Sequence, residues 1–446
     1  MEVRLKDIMC RSFRFLISDE FRIELFRKAI EKEGMLKILA KKLACSPDSI
    51  RTMRTGKTRF IKWQIVKKLI EIAGISETEL EPHVLAVKGG MSGKETEVKF
   101  PIKESPELAL LVAKGLGDGS IEKAKLRFSY WNNEQDLIDE VCRAVSKAVG
   151  ETRATITELK DGRIQAKFCP FVGLILYLNG VPMGNKTFQE FDVPDWIKNG
   201  SQEMKALFLR GLFDDEACVK KKTIKDRGRG IFIAQGKWSE LRDSLEEFFK
   251  SVKMMLLELN IESTNVIKQE IFMDEREREK VVLRFGISRK KNLENYLNNI
   301  GFTSLKKTSK LKEAIKSFVD IQRNRKVVFG LIQSISRPIP TTKVSKLTGI
   351  NLDLASYYLN GLYKEGKIFK NKETNPVLWF KSDGYFTPSK KERVLQTIKK
   401  FGPLMIKDIS LLTGIKEGYL YSIVEDLEKN NMINKINKDN KSNLWS

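Results

Sequence analysis

Histidine is almost missing: the 446-residue chain has one, His83. That excludes Ser-His-Asp and Cys-His chemistry unless His83 itself serves. It sits in "EPHVLAVKGG", which reads as a linker. Cysteine is scarce too. The five residues Cys10, Cys45, Cys142, Cys169 and Cys218 are scattered, with no CxxC pair. This argues against a zinc module and against a disulfide framework. No apolar run approaches the roughly 18 residues of a membrane span. The opening segment "MEVRLKDIMCRSFRFLISDEF" is too broken by charge for a signal peptide. The expected location is cytoplasmic. Acids are outnumbered, 58 against 81 Lys plus Arg, for a net charge of +23 and a pI near 9.6. A field of one sign that large favours a polyanionic partner, nucleic acid or an acidic membrane surface. Catalysis, if any, falls to carboxylates, lysines and a bound metal.

The basic excess is uneven. Residues 321–446 hold 22 basic and 11 acidic residues, and residues 1–90 hold 19 and 12, leaving +5 for the middle. In the N-terminal flank, Leu36, Leu39, Ala40 and Leu43 share one helical face. Ser46 followed by Pro47 gives a cap and a first-turn proline. The helix opened there runs to about Arg54 and stops before Gly56. Residues 51–70 carry seven basic residues and no acid. Helix, tight turn and capped second helix is the helix-turn-helix pattern. The C-terminal flank repeats: Leu347-Thr348-Gly349-Ile350 recurs as Leu412-Thr413-Gly414-Ile415. Each copy is preceded by a helix and followed by a two-stranded hairpin ending in Trp379 or Trp445. Solvated basic helices or protein-docking modules are the alternatives to DNA binding in these flanks.

The middle is doubled. "SPELALLVAKGLGDGSI" begins at Ser105, and "FLRGLFDDEACV" begins at Phe208. Setting Asp118 on Glu216, an offset of 98 residues, places Ala113 on Gly211, Gly119 on Ala217 and Ser120 on Cys218. Each stretch continues as two strands, a helix, a hairpin and a helix, with Asp161-Gly162 at the first hairpin turn. The expected class is α+β, a duplicated αββαββα unit. Ala109, Ala113 and Gly117, spaced by four, permit close contact between the two leading helices. Both helices end on acids, which the helix dipole disfavours.

These residues, with "GVPMGNKTFQEFDVPDWI" (180–197) and "NIGFTSLKKTSKLKEAI" (299–315), resemble the LAGLIDADG homing endonucleases in their single-chain, two-repeat form, over roughly residues 100–318. The resemblance implies a pseudo-two-fold saddle on double-stranded DNA and a monomer by internal symmetry. It implies divalent metal, Mg2+ by the chemistry of oxygen ligands, held by Asp118 and Glu216, with Lys186 and Lys307 as basic catalytic residues. Outward strand alternation would supply Lys123, Lys125, Arg127, Lys220, Lys222 and Lys268 to DNA. Two departures stand out. Asp215 fills a position the family keeps small, and Ala217 replaces the closing glycine. Either would loosen the helix pair or shift Glu216. Asp214 would tend the helix end.

Residues 1–90 resemble the phage Cro and repressor class, which implies that Ser49, Arg51, Thr52, Arg54 and Lys57 face the duplex from an all-α domain. Residues 325–383 and 388–446 resemble winged helices in tandem. No splicing blocks flank the motifs, so the implied activity is a freestanding site-specific DNA endonuclease. A DNA-binding regulator derived from such an enzyme is the second reading. An RNA-splicing maturase, with RNA as partner, is the third.

Overall fold

The computed structural model describes residues 2–8, 12–91, 93–220, 229–273, 278–318, 321–371, 375–381, 389–438 and 442–446. It divides into two units, Met1–Phe318 and Val319–Ser446. At the heart of the first unit are two copies of one element order. The first copy is helix Pro106–Leu116, strands Gly119–Ile121 and Phe128–Asn132, helix Gln135–Ala148, strands Thr155–Glu158 and Ile164–Lys167, and helix Pro170–Leu178. The second is helix Gln202–Glu216, strands Ala217–Lys220 and Gly230–Trp238, helix Arg242–Glu258, strands Ile267–Met273 and Glu279–Ile287, and helix Lys290–Asn299. Each set of four strands forms one antiparallel sheet. Both sheets have the order first, second, fourth, third. The doubled αββαββα order read from the sequence is the one observed.

Local chemistry explains the starts and turns. Ser105 accepts the Leu108 N–H at 3.1 Å and Ser201 accepts the Met204 N–H at 3.2 Å, so both central helices open on a serine cap. Gly162 takes φ +81°, as the tight hairpin turn demands. The central helices, Pro106–Leu116 and Gln202–Glu216, pack against each other. A Cβ on Gly211 would lie 2.9 Å from Leu110 Cδ1, 3.0 Å from Ala113 Cβ and 3.1 Å from the Leu110 carbonyl. The contact is therefore tight, and Asp215 has not loosened it. Gly211→Ala is expected to destabilise the protein by about 1–3 kcal/mol through overpacking. Urea unfolding measures this, and an unchanged midpoint would contradict the tight contact.

The N-terminal region departs from the all-α expectation. Helices Leu36–Lys42 and Pro47–Arg54 form as read, with Ser46 accepting the Ser49 N–H at 3.1 Å. They belong, however, to a layer that includes a four-stranded antiparallel sheet of Phe13–Ile17, Phe60–Lys62, Val84–Gly89 and Glu95–Glu97. The supposed linker around His83 runs straight into an interior strand of that sheet. Its Val84, Ala86 and Val87 are buried. His83 stacks on Phe21, with ring centroids 4.2 Å apart, and plays no part in the site described below. Nor does residue 90 close a domain. Strand Glu95–Glu97 pairs backward with Val84–Gly89, and the Glu97 N–H donates forward to the Glu151 carbonyl at 2.9 Å. Phe13 and Phe100 both meet Phe171 edge-on, so one apolar core runs from Val3 to Leu311.

The second unit contains two successive modules. Each has a helix, a two-residue strand, two more helices and a hairpin: Ile321–Ser334 to Leu378–Phe380, then Lys390–Phe401 to Ser442–Trp445. The hairpin is one strand richer than the sequence suggests, because Ile339–Pro340 and Leu404–Met405 pair with the last strand of each module. Two residues are too few to show a period. The Leu-Thr-Gly-Ile repeat builds the same turn twice. Gly349 and Gly414 take φ +69° and +70°. Thr348 and Thr413 accept the N–H of Ile350 and Ile415, each at 3.3 Å. Ser345 and Ser410 donate to the carbonyls of those isoleucines, each at 2.7 Å. Trp379 and Trp445 are buried in separate small cores. Among the described residues, no helix is long and apolar enough to cross a membrane.

Candidate active site

Both central helices end at one seam, and the residues there answer why acids are tolerated at helix C-termini. Lys186, in the short turn after the first copy, donates from Nζ to the carbonyls of Gly115 (3.0 Å), Gly117 and Gly119 (2.8 Å). Lys307, in helix Leu305–Lys316, donates from Nζ to the carbonyls of Phe213 (3.2 Å) and Asp214. Each helix end thus has an ammonium over its exposed carbonyls, offsetting the partial negative charge that the acids would otherwise meet. Burial pushes both lysines below the usual ammonium range, while the neighbouring acids act the other way.

The three acids of "FDDEA" separate cleanly. Asp214 is buried and points away from the seam. It accepts the N–H groups of Thr303 (3.0 Å) and Ser304 (3.2 Å) just before helix Leu305–Lys316. Ser304 caps that helix by accepting the Lys307 N–H at 3.1 Å. Asp214 therefore holds the segment that presents Lys307, and Lys307 in turn caps the Asp214 carbonyl. Burial raises the Asp214 carboxyl to about 6 against the opposing pull of Lys114. The helix end it tends is thus the start of a different helix.

Asp215, unplaced by sequence reasoning, crosses to the first copy. Its side chain is fully buried and pairs with the equally buried Lys114, Nζ to Oδ1 at 3.0 Å. Tyr130 donates its hydroxyl to the same oxygen at 2.7 Å. The other oxygen accepts the backbone N–H of Asp118 at 3.1 Å. Room for this carboxylate exists because residue 117 is glycine: a Cβ there would lie 2.5 Å from Asp215 Oδ2. Burial works against the Lys114 charge, but Asp215, Asp214 and Glu140 more than offset it, leaving the ammonium above its ordinary range. Glu140 lies 3.7 Å from Lys114.

Asp118 and Glu216 are the remaining acids, one from each copy. Asp118 lies open at the mouth of the seam, with Asn132 donating to Oδ2 at 3.1 Å. Desolvation and the charge of Asp215 raise it to about 6. Glu216 is raised to about 7. Burial is the main cause, partly offset by a hydrogen bond from Gln235 and by Lys186, with the charge of Asp118 adding to the rise. The two carboxylates thus feel each other across the seam. Among the described residues, no group of three or more His, Cys, Asp or Glu side chains forms a closed metal cage.

The residues expected to face DNA are spread more widely. Arg51, Arg54 and Lys57 are exposed on helix Pro47–Arg54 and the turn after it, with Arg51 paired to Asp48 at 2.8 Å. Ser49 and Thr52 are used internally: Ser49 shares a hydrogen bond with Ser46, and Thr52 donates to the Ser49 carbonyl at 3.0 Å. Lys123, Lys125 and Arg127 are exposed, but they occupy the turn and approach between strands Gly119–Ile121 and Phe128–Asn132 rather than a strand face. The first strand ends after three residues, too soon to carry the alternation. Lys220 ends its strand, with Nζ 5.9 Å from the Phe232 ring centre. Lys268 lies on strand Ile267–Met273, beside a register shift. Lys222 lies outside the described residues. Sequence reasoning missed Lys114, Tyr130, Asn132, Glu140 and Gln235.

Residues 203–301 match the family model described as a LAGLIDADG-like domain, so the match falls on the second copy. Among curated proteins, the chain is similar to the replication factor C small subunit of Methanocaldococcus jannaschii, 25% identical over 300 residues. That alignment covers 64% of this chain and 14% of that protein. It is also similar to the tRNA-splicing ligase RtcB of Methanopyrus kandleri, 26% over 212 residues, covering 44% and 20%. The RtcB of Pyrococcus abyssi is 34% identical over 94 residues, covering 20% and 10%. The chain therefore spans at most a fifth of these relatives' lengths. Among solved structures, I-DmoI in complex with DNA and Mn is 16% identical, covering 44% of this chain and 96% of that one, with a TM-score of 0.28. The N-terminal LAGLIDADG domain of DUF199/WhiA is 12% identical, covering 45% and 84%, with a TM-score of 0.26.

Proposed function

We propose that this chain, which carries a LAGLIDADG-like domain, is a site-specific double-stranded DNA endonuclease working with a divalent cation. One observation carries the reading: each central helix delivers one acid, Asp118 or Glu216, to the same seam, and a lysine caps each helix end beside it. The donor set fits a hard cation. Two carboxylates repel each other there, and a divalent ion that takes one or two carboxylates completes its shell with water and substrate phosphate. When bound, such an ion lowers the pKa of an attacking water and stabilises the leaving oxygen. The chain's own residues do the rest. Asn132 and Gln235 orient the two acids, and Lys186 and Lys307 keep positive charge beside the scissile phosphates. The N-terminal helix-turn-helix and the two C-terminal modules, read as winged helices, would add further phosphate contacts. Binding should therefore fall steeply with salt.

A DNA-binding regulator using the same surface without cutting is the second reading. It is favoured by the charge distribution, since most of the +23 lies in the flanks rather than beside the acids. A plasmid library with randomised inserts separates the two. Incubation with Mg2+ should linearise a sequence-related subset of plasmids, whereas Ca2+ should give binding alone. Sequence-selective retention with no cleavage in Mg2+ or Mn2+ would favour the regulator.

Metal holding has a consequence that needs no activity. Asp118 and Glu216 have raised pKa values in the folded, metal-free protein. Their contribution to stability is therefore full at acid pH and is lost as pH rises through about 6 and 7. A divalent cation takes the place of those protons. Ca2+ should then raise the thermal unfolding midpoint more at pH 8 than at pH 5, and Glu216→Gln should shrink the difference. An equal Ca2+ effect at both pH values would count against the pair as ligands.

A further inference from the structure

The two acids at the seam are held by unequal means. The Asp118 backbone N–H donates to Asp215 Oδ2 at 3.1 Å, so the first copy's acid is tied to a residue of the second. Asp215 is itself fixed. Its other oxygen accepts from Lys114 at 3.0 Å and from Tyr130 at 2.7 Å, and Lys114 also donates to the Tyr130 hydroxyl at 3.2 Å. Asn132 links the same hydroxyl (3.4 Å) to the Asp118 carboxylate (3.1 Å). Asp118 is thus gripped at its backbone and at its side chain by one hydrogen-bonded assembly. Among the described residues, no side chain of the first copy hydrogen-bonds to Glu216 in this way; its partner is Gln235 of its own copy. The counterpart of Asp215 in the first copy is Gly117, which has no side chain. A side chain there would collide with Asp215. Only one of the two crossings is sterically available, so the asymmetry is built into the helix contact.

We propose that Asp215 is a positioning residue for Asp118, so that the second copy braces the first copy's acid and the two half-sites act unequally on the two DNA strands. This rests on the nuclease reading. Asp215 touches no substrate in this scheme and acts only through Asp118. A loss of packing at the seam would slow both strands together, whereas a loss of positioning at Asp118 would change the ratio between them.

The test uses the full chain on a cleaved duplex labelled at the 5′ end of each strand in turn. Two variants are compared with the wild type. Tyr130→Phe removes one hydrogen bond to Asp215 and keeps the ring. Lys114→Met combined with Asp215→Ala removes both members of the closest pair, leaving Glu140 with its hydrogen bond from Thr303. The ratio of the two strand-cleavage rates should shift by about tenfold or more in the double variant, in the range seen when groups that orient metal ligands are removed. It should shift in the same direction, by less, in Tyr130→Phe. Duplex affinity in Ca2+ should stay near wild type, and Tyr130→Phe should remain folded with a lowered unfolding midpoint, because three buried hydrogen bonds are lost. If the double variant does not fold, Tyr130→Phe decides alone, at about a threefold shift. Equal slowing of both strands, unchanged rates, or shifts in opposite directions overturn the inference. A wild-type chain that cuts neither strand removes the nuclease reading, and this inference with it.

Discussion

Asp118→Asn should slow DNA cleavage by at least about a hundredfold while leaving duplex affinity within about threefold. The size follows from its place. Even residues that merely orient metal ligands are worth about 10- to 100-fold, and Asp118 is proposed as a ligand itself. Asparagine keeps the volume, and its carbonyl oxygen can accept from Asn132 as the carboxylate does at 3.1 Å. What it loses is the charge. Affinity should be spared because the proposed phosphate contacts are made by basic residues elsewhere, and removing a negative charge does not weaken such contacts. The same variant should be more stable than wild type at pH 8 without metal, since it deletes a carboxylate whose charge partial burial and the neighbouring Asp215 disfavour. Gel shift in Ca2+, plasmid cleavage in Mg2+ and thermal unfolding read the three effects. Parallel loss of binding and cleavage would place Asp118 in DNA recognition instead.

Lys114→Met should be the most damaging single change to the fold, costing about 3–5 kcal/mol. The ammonium and the Asp215 side chain are both fully buried, 3.0 Å apart. Removing one partner leaves Asp215 charged and buried, with the Tyr130 hydroxyl and the Asp118 N–H to satisfy it. Adding Asp215→Ala to Lys114→Met should restore part of the loss, because replacing both members of a buried pair by apolar groups is often close to neutral, while Glu140, 3.7 Å from Lys114, still loses its cation. Chemical unfolding of the two single variants and the double gives the coupling directly. Additive losses would mean that the pair does not act as a unit.

That pair also shows where sequence reading stopped. Apolar periodicity, serine-proline caps and the 98-residue offset were enough to trace both copies, because each depends on neighbours a few residues apart. The tight turn at Gly162 was legible for the same reason. Asp215 was read as a defect because only its own position was compared with the family. The repeat held the remedy. In the same alignment, Lys114 falls opposite Leu212, and Asp215 falls opposite Gly117. A base replaces an apolar residue in one copy, and an acid replaces a glycine in the other. Two departures of opposite sign on facing helices are a buried ion pair waiting to be matched. The misread N-terminal sheet has a different cause. Its strand Phe60–Lys62 is three residues long, and Val84–Gly89 ends on one glycine with Gly90 next, which together read as a loop. Pairing with the distant Phe13–Ile17 joins both into one sheet, and Val84–Gly89 pairs with Glu95–Glu97 as well.

The central claim is that one acid from each copy holds a divalent cation together. A crystal of the full chain with its duplex, grown in Mn2+ and measured at the manganese edge, tests it most directly. The account predicts anomalous density between the carboxylates of Asp118 and Glu216, against the DNA backbone. That density should weaken or vanish in Asp118→Asn. Ordered DNA in the saddle with no manganese at either carboxylate would contradict it.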